Sequence, residues 1–183
     1  PPGSTLFPYT TLFRSLGEID LSFPSIVGIT SLTFGMVLTG TEGNFFLAFL
    51  ASMSLGMFAG LINGLLVTKI GIPSIVATIG TLFFWRGLVN VVAQGSGIAI
   101  VDVAEYTWHH TLFVSKVFGY IPAQFIWFVV LTLMMQGIYR YHKFGNHIHF
   151  VGDNKASSQM MGINVDNVKI IAFVQLGFFS AFA

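Results

Sequence analysis

Three side chains in this 183-residue chain carry reactive or charged groups inside apolar surroundings: Asp20, Asn63 and Arg86. Asp20 ends a carboxylate pair in Gly17-Glu18-Ile19-Asp20-Leu21-Ser22, just ahead of Pro24. One reading of that string is a helix start, with Asp20 or Ser22 as N-cap and Pro24 in the first turn. The other is a broken helix beside a path through a membrane, since irregular backbone at that depth survives only when buried or lining a cavity. Asn63 carries an amide that needs a partner across a helix interface. Arg86 follows Pro73-Ser74, where a helix should begin, by roughly 18 Å along the axis. A guanidinium at the bilayer centre costs at least ~2.5 kcal/mol, so it must snorkel, pair with a carboxylate or face water. Asp20, Asn63 and Arg86 are therefore the candidates for lining such a path.

Other chemistry is sparse. His109-His110 form one cluster, and His142, His147 and His149 another. Neither holds a carboxylate at ligand spacing and no H-E-x-x-H occurs, so surface histidines near lipid headgroups are expected and no metal site. The chain has no cysteine, which excludes disulfides, thiolate zinc sites and cysteine nucleophiles. No G-x-x-x-x-G-K-[ST] loop is present, so the chain is not expected to be an enzyme or to bind a cofactor of its own.

The elements that must hold these groups follow from composition. Hydrophobic residues make up 54% and charged residues 8%, against about 25% charged in soluble domains. The mean hydropathy is +0.79. A solvated globular shell and a disordered chain are both excluded. The net charge of +1 provides no polybasic face, so no nucleic-acid partner is expected.

A helical crossing needs about 20 mostly apolar residues. Such runs occur at Leu21–Thr41, Phe45–Thr68, Ile70–Val101 (a helix plus a loop), Val117–Tyr139 and Ile170–Ala183. They are continuous, whereas barrel strands would alternate. The fold class is therefore an all-α, polytopic transmembrane helix bundle. Lys69, Arg140, Lys143, Lys155 and Lys169 fall on one side of this alternation, and Glu42, Asp102 and Glu105 on the other. The basic side should be cytoplasmic. Trp108, Tyr106, Tyr120, Trp127, Tyr139 and Tyr141 lie near span ends, where amphipathic rings settle; Trp85 is the one ring for which ligand stacking stays open.

Gly56, Gly60 and Gly64 repeat every four residues in the second run, which lets another helix backbone approach closely. The polar stretch 140–169 forms a cytoplasmic loop. Within it, Gly152-Asp153-Asn154-Lys155-Ala156-Ser157-Ser158-Gln159-Met160-Met161-Gly162 reads as a short helix, capped by Asp153 or Asn154 and ended by Gly162. Met160 and Met161 would tip a docking knob or fold back onto the bundle. At the other extreme, Thr5–Ser15 matches a translated sequencing-library adapter, so residues 1–15 are expected to be foreign and 16–183 to form a partial transmembrane domain. The run at Phe182-Ala183 ends without a polar flank, and both termini are expected to be cut.

Three blocks together resemble the permease subunits of bacterial ABC importers of the ribose/xylose/simple-sugar class. They are Gly17-Glu18-Ile19-Asp20-Leu21-Ser22 through Gly28, Gly60–Gly87, and Phe144–Lys169. Phe23-Pro24 stands where that family more often has Val-Gly, and Ala156-Ser157-Ser158 replaces an alanine run. The resemblance implies a fragment of a roughly ten-helix subunit in the bacterial inner membrane, working by alternating access. It implies a second permease copy, two cytoplasmic ABC ATPase subunits that use the ATP, and a periplasmic sugar-binding protein. It also makes Gly152–Gly162 the helix that couples to the ATPase. The alternative is a stand-alone ion-coupled transporter using Glu18, Asp20 and Arg86.

Overall fold

The computed structural model describes residues 16–98, 100, 108–117 and 120–183. The expectations for residues 1–15 and for Asp102, Glu105 and Tyr106 lie outside the described residues.

Helix α1 (Phe23–Gly40) begins after Ser22, with Pro24 in its first turn where the missing N–H costs nothing. A turn in which Glu42 and Gly43 take positive φ reverses the chain. Asn44 then caps α2 (Phe45–Leu65), its side-chain oxygen accepting from the Leu47 N–H at 3.1 Å. The helix continues into a π-helical turn at Leu66–Ile70, which Gly71 ends in the left-handed conformation. Pro73 precedes α3 (Ser74–Ala93). After it come a short α4 (Trp108–Phe113) and a two-residue antiparallel ladder of β1 (Lys116–Val117) with β2 (Ile121–Pro122). Then follow α5 (Ala123–Tyr141), α6 (Lys143–Asp153), α7 (Lys155–Met160) and α8 (Val165–Phe182).

Among the described residues, four helical stretches are long and apolar enough to cross a bilayer: Phe23–Gly40, Phe45–Ile70, Ser74–Ala93 and Val165–Phe182. Helix α5 has 19 residues, about 28 Å at 1.5 Å each, but Gln124, Gln136 and Arg140 make it more polar. The expected fourth run, Val117–Tyr139, is therefore not among the four, and the expected fifth run, from Ile170, starts earlier, at Val165. Asn164 caps α8 by accepting from the Asn167 N–H at 3.0 Å, with Asp166 in the first turn, where the helix dipole favours an acid.

The most extensive contact is between α2 and α8, followed by α1 against α2 and against α3. One apolar cluster joins α8 to α5 and α6 through Phe173, Ala172, Met135, Ile148 and Val151. A second holds Ile26 and Ile29 of α1 between Ala59 and Trp85. Trp85 is a core residue of that cluster, not a ring at the lipid surface. Much of the rest of the apolar surface is outward-facing, as on Phe83, Phe84 and Val91 of α3.

Candidate functional site

Two ion pairs and a hydrogen-bonded knot gather at one end of the bundle, and they begin with the non-helical stretch 17–22. The stretch has no ladder of its own, so its N–H groups need outside acceptors. The Ile19 N–H donates to Ser74 Oγ and the Leu21 N–H to Thr78 Oγ1, each at 3.2 Å. Asp20 Oδ1 accepts from the Ser22 N–H at 2.7 Å and from the Ser22 hydroxyl at 2.6 Å. Asn63, fully buried on α2, donates from Nδ2 to Ser22 Oγ at 2.7 Å and to Asp20 Oδ2 at 3.3 Å. Ser22 occupies the N-cap position but makes no side-chain cap bond. Its hydroxyl is committed to Asp20 and Asn63 instead.

Glu18 fastens the same stretch to α8. Its carboxylate forms an ion pair with Lys169, and both residues are 8% exposed. Sequence reasoning placed Lys169 among loop cations and missed its partner, which lies 151 positions away. The pair needs both charges, because removing one would strand the other in a poorly solvated site. A second, exposed pair links Lys69 beside the π-helical turn to Asp166 at 2.9 Å.

Helix α7 stands next to this knot, and its boundaries differ from expectation. Gly152 and Asp153 are the last residues of α6, an 11-residue helix that the sequence reading did not foresee. The amphipathic spacing of Ile148 and Val151, both buried, draws α6 against the bundle, and the His142 ring caps its start by accepting from the Phe144 N–H. Asn154 alone caps α7, accepting from the Ser157 N–H at 3.1 Å. Lys155, Ala156, Ser157, Ser158, Gln159 and Met160 form the helix. Gly162 turns the chain out at φ +80. Ser158 is buried and faces inward, while Met160 is 89% exposed and Met161 is exposed as well. The two methionines project away from the bundle. Behind them, the neighbouring Lys169 amine, and after it burial, hold Lys155 below the usual lysine range; Glu18 offsets part of that shift.

The structure brings Asp20 and Asn63 together but leaves Arg86 apart. Arg86 sits exposed on the outward-facing side of α3, apart from the hydrogen bonds and ion pairs among the described residues. The cluster of Asp20 with Arg86 invoked for ion coupling is therefore not formed. Asn63 Oδ1 is buried without a hydrogen-bond partner.

Gly56, Gly60 and Gly64 all face α8. A Cβ on Gly56 would collide with the Gly177 carbonyl oxygen, and one on Gly60 with that of Phe173. At Gly64 a Cβ would lie 3.0 Å from the Ile170 Cα. Gly177 answers from α8, where a Cβ would strike the Gly56 carbonyl oxygen.

The opposite end of the bundle is aromatic. Phe45 stacks on His109 at 4.7 Å between ring centroids and on Phe113 at 5.5 Å. These rings line a cavity of about 550 Å³ together with Phe34, Phe49 and Phe182. His109 is buried, contrary to the expected surface placement, and burial pushes its pKa below the usual histidine value, with His110 adding to the shift. Among the described residues, no three His, Asp or Glu side chains come together as a metal site.

Residues 7–183 match the family described as branched-chain amino acid transport system / permease component. The chain is 33% identical over 175 residues to the autoinducer 2 import system permease protein LsrC of Photorhabdus luminescens, covering 94% of this chain and 50% of that protein. It is 32% identical over 175 residues to LsrC of Yersinia pseudotuberculosis serotype O:3, strain YPIII, covering 94% of this chain and 48% of the relative. The same figures hold for LsrC of Yersinia pestis, strain Pestoides F. The chain thus spans about half the length of the curated relatives it matches. No solved structure matches it.

Proposed function

The chain belongs to the family of branched-chain amino acid transport system permease components, and from that premise we propose that it is the membrane-spanning part of an ATP-driven importer for a simple sugar or sugar-like solute. It is a multi-pass protein of the bacterial inner membrane. The solute class comes from the ribose/xylose-type blocks of the sequence. The relatives named for autoinducer 2 import make that molecule the first solute to try.

One observation carries the coupling role: α7 projects Met160 and Met161 outward from the end of the bundle that carries both ion pairs. A six-residue helix contributes little to a bilayer-spanning core. Capped at Asn154 and turned out at Gly162, it is a rigid knob, and exposed methionines adapt to a partner groove. The groove belongs to a cytoplasmic ABC ATPase, one on each of two permease copies. A periplasmic binding protein delivers solute to the far side. The knot of Asp20, Ser22 and Asn63 lines or braces the path, and ATPase closure is transmitted through α7 as a shift between two bundle states.

Co-purification tests this reading. The intact subunit, expressed with its partner ATPase, should retain the ATPase on an affinity column. Met160→Glu, a change at an exposed position, should abolish both retention and ATP-dependent uptake. Undiminished retention by Met160→Glu and by a deletion of residues 154–161 would overturn the docking role.

A further inference from the structure

The Glu18–Lys169 pair connects two parts that the proposed mechanism treats separately. Lys169 lies in the second turn of α8, directly after the link from α7. That link is short and bonded: the Ile163 N–H donates to the Ser158 carbonyl, and Asn164 caps α8. Glu18 lies on the stretch whose other residues grip α2 through Asn63 and α3 through Ser74 and Thr78. Lys169 thus stands between the link from α7 and the stretch that Glu18 anchors.

We propose that Glu18 is a positioning residue for transport: its pair with Lys169 ties residues 17–22 to the start of α8, so that displacement of α7, passed on through the Ser158–Ile163 link, changes its hold on those residues and so on α2 and α3. The inference rests on the importer reading above. It adds the route by which the knob reaches the bundle. Both charges are buried, so their interaction is little screened and sensitive to small displacements. Among the described residues this carboxylate has no other ion pair, so a shift of the Lys169 amine is felt at Glu18.

The experiment measures ATP hydrolysis and solute uptake together, in proteoliposomes holding the intact importer. Wild type gives the reference ratio of solute moved per ATP. Glu18→Gln should keep at least half of the solute-stimulated ATPase rate while the transport ratio falls about 10-fold. The exchanged pair Glu18→Lys with Lys169→Glu should restore the ratio to within about 2-fold of wild type, as expected for an interaction and not for two independent losses. A wild-type ratio in Glu18→Gln overturns the inference and leaves the importer reading standing. Equal loss of ATPase and uptake in Glu18→Gln, unrepaired by the exchange, assigns the pair to folding alone and also overturns it. Absence of ATP-dependent uptake by wild type overturns the importer reading, and the inference with it.

Discussion

Helix α2 is held to its neighbours in two unlike ways. Along α8 the contact is backbone on backbone, with Gly56, Gly60 and Gly64 meeting Phe173, Ile170 and Gly177. Towards α1 and α3 an apolar cluster around Ile26, Ile29, Ala59 and Trp85 is joined by a polar tie: one amide, Asn63, grips the stretch 17–22, which hangs in turn from two hydroxyls of α3. The glycine seam is steric and non-directional, so it tolerates no added atom but has no alternative partner to choose. The knot is directional, so it can exchange partners at modest cost. A bundle that alternates between two states, as proposed above, would need both, a seam that stays closed and a joint that can re-form.

That contrast can be broken from the seam side first. Gly60→Leu should have the largest effect, about 3 kcal/mol or more, because backbone and not a flexible side chain occupies the space. Yield of monodisperse protein in detergent reads it, and a normal yield would show that the seam can open. Gly64→Ala, with its milder approach to Ile170, should lose distinctly less. The knot comes next: Asn63→Ala should cost about 1–2 kcal/mol, by leaving Asp20 and Ser22 short of a donor. Its thermal midpoint should fall while the protein remains folded. The smallest effect belongs to Lys69→Ala, since its pair with Asp166 is exposed on both sides and worth less than about 1 kcal/mol. Added salt should erase the difference from wild type. If Lys69→Ala instead matched Asn63→Ala, the ranking of buried polar over exposed charged contacts would be wrong.

The seam was legible in the sequence and most of the knot was not. Glycines four apart announce a helix contact whatever the partner, because the period alone puts them on one face. Continuous apolar runs announced the spans for the same local reason. Asp20 and Asn63 stood out as polar groups among apolar ones, but nothing local said that they would meet. Glu18 and Lys169 are farther apart still, and only the folded path joins them. Helix α6 was hidden because its histidines and glycines mask the apolar face of Ile148 and Val151, and it takes in Gly152 and Asp153, which leaves Asn154 of the two expected caps at the start of α7. Arg86 invited a carboxylate partner by its cost in lipid, yet α3 turns it away from the described helices, a matter of rotation that composition does not reveal.

The wide turn at Leu66–Ile70 has a consequence of its own. A π turn closes its loop one residue later than an α turn, as the Gly71 N–H does on the Leu66 carbonyl. Excising a single residue there would rewind the strip to ordinary pitch and swivel Lys69 off its bearing on Asp166. The segment is therefore the molecule's phase adjuster: one surplus amino acid sets the azimuth at which the chain leaves α2 and heads for α3.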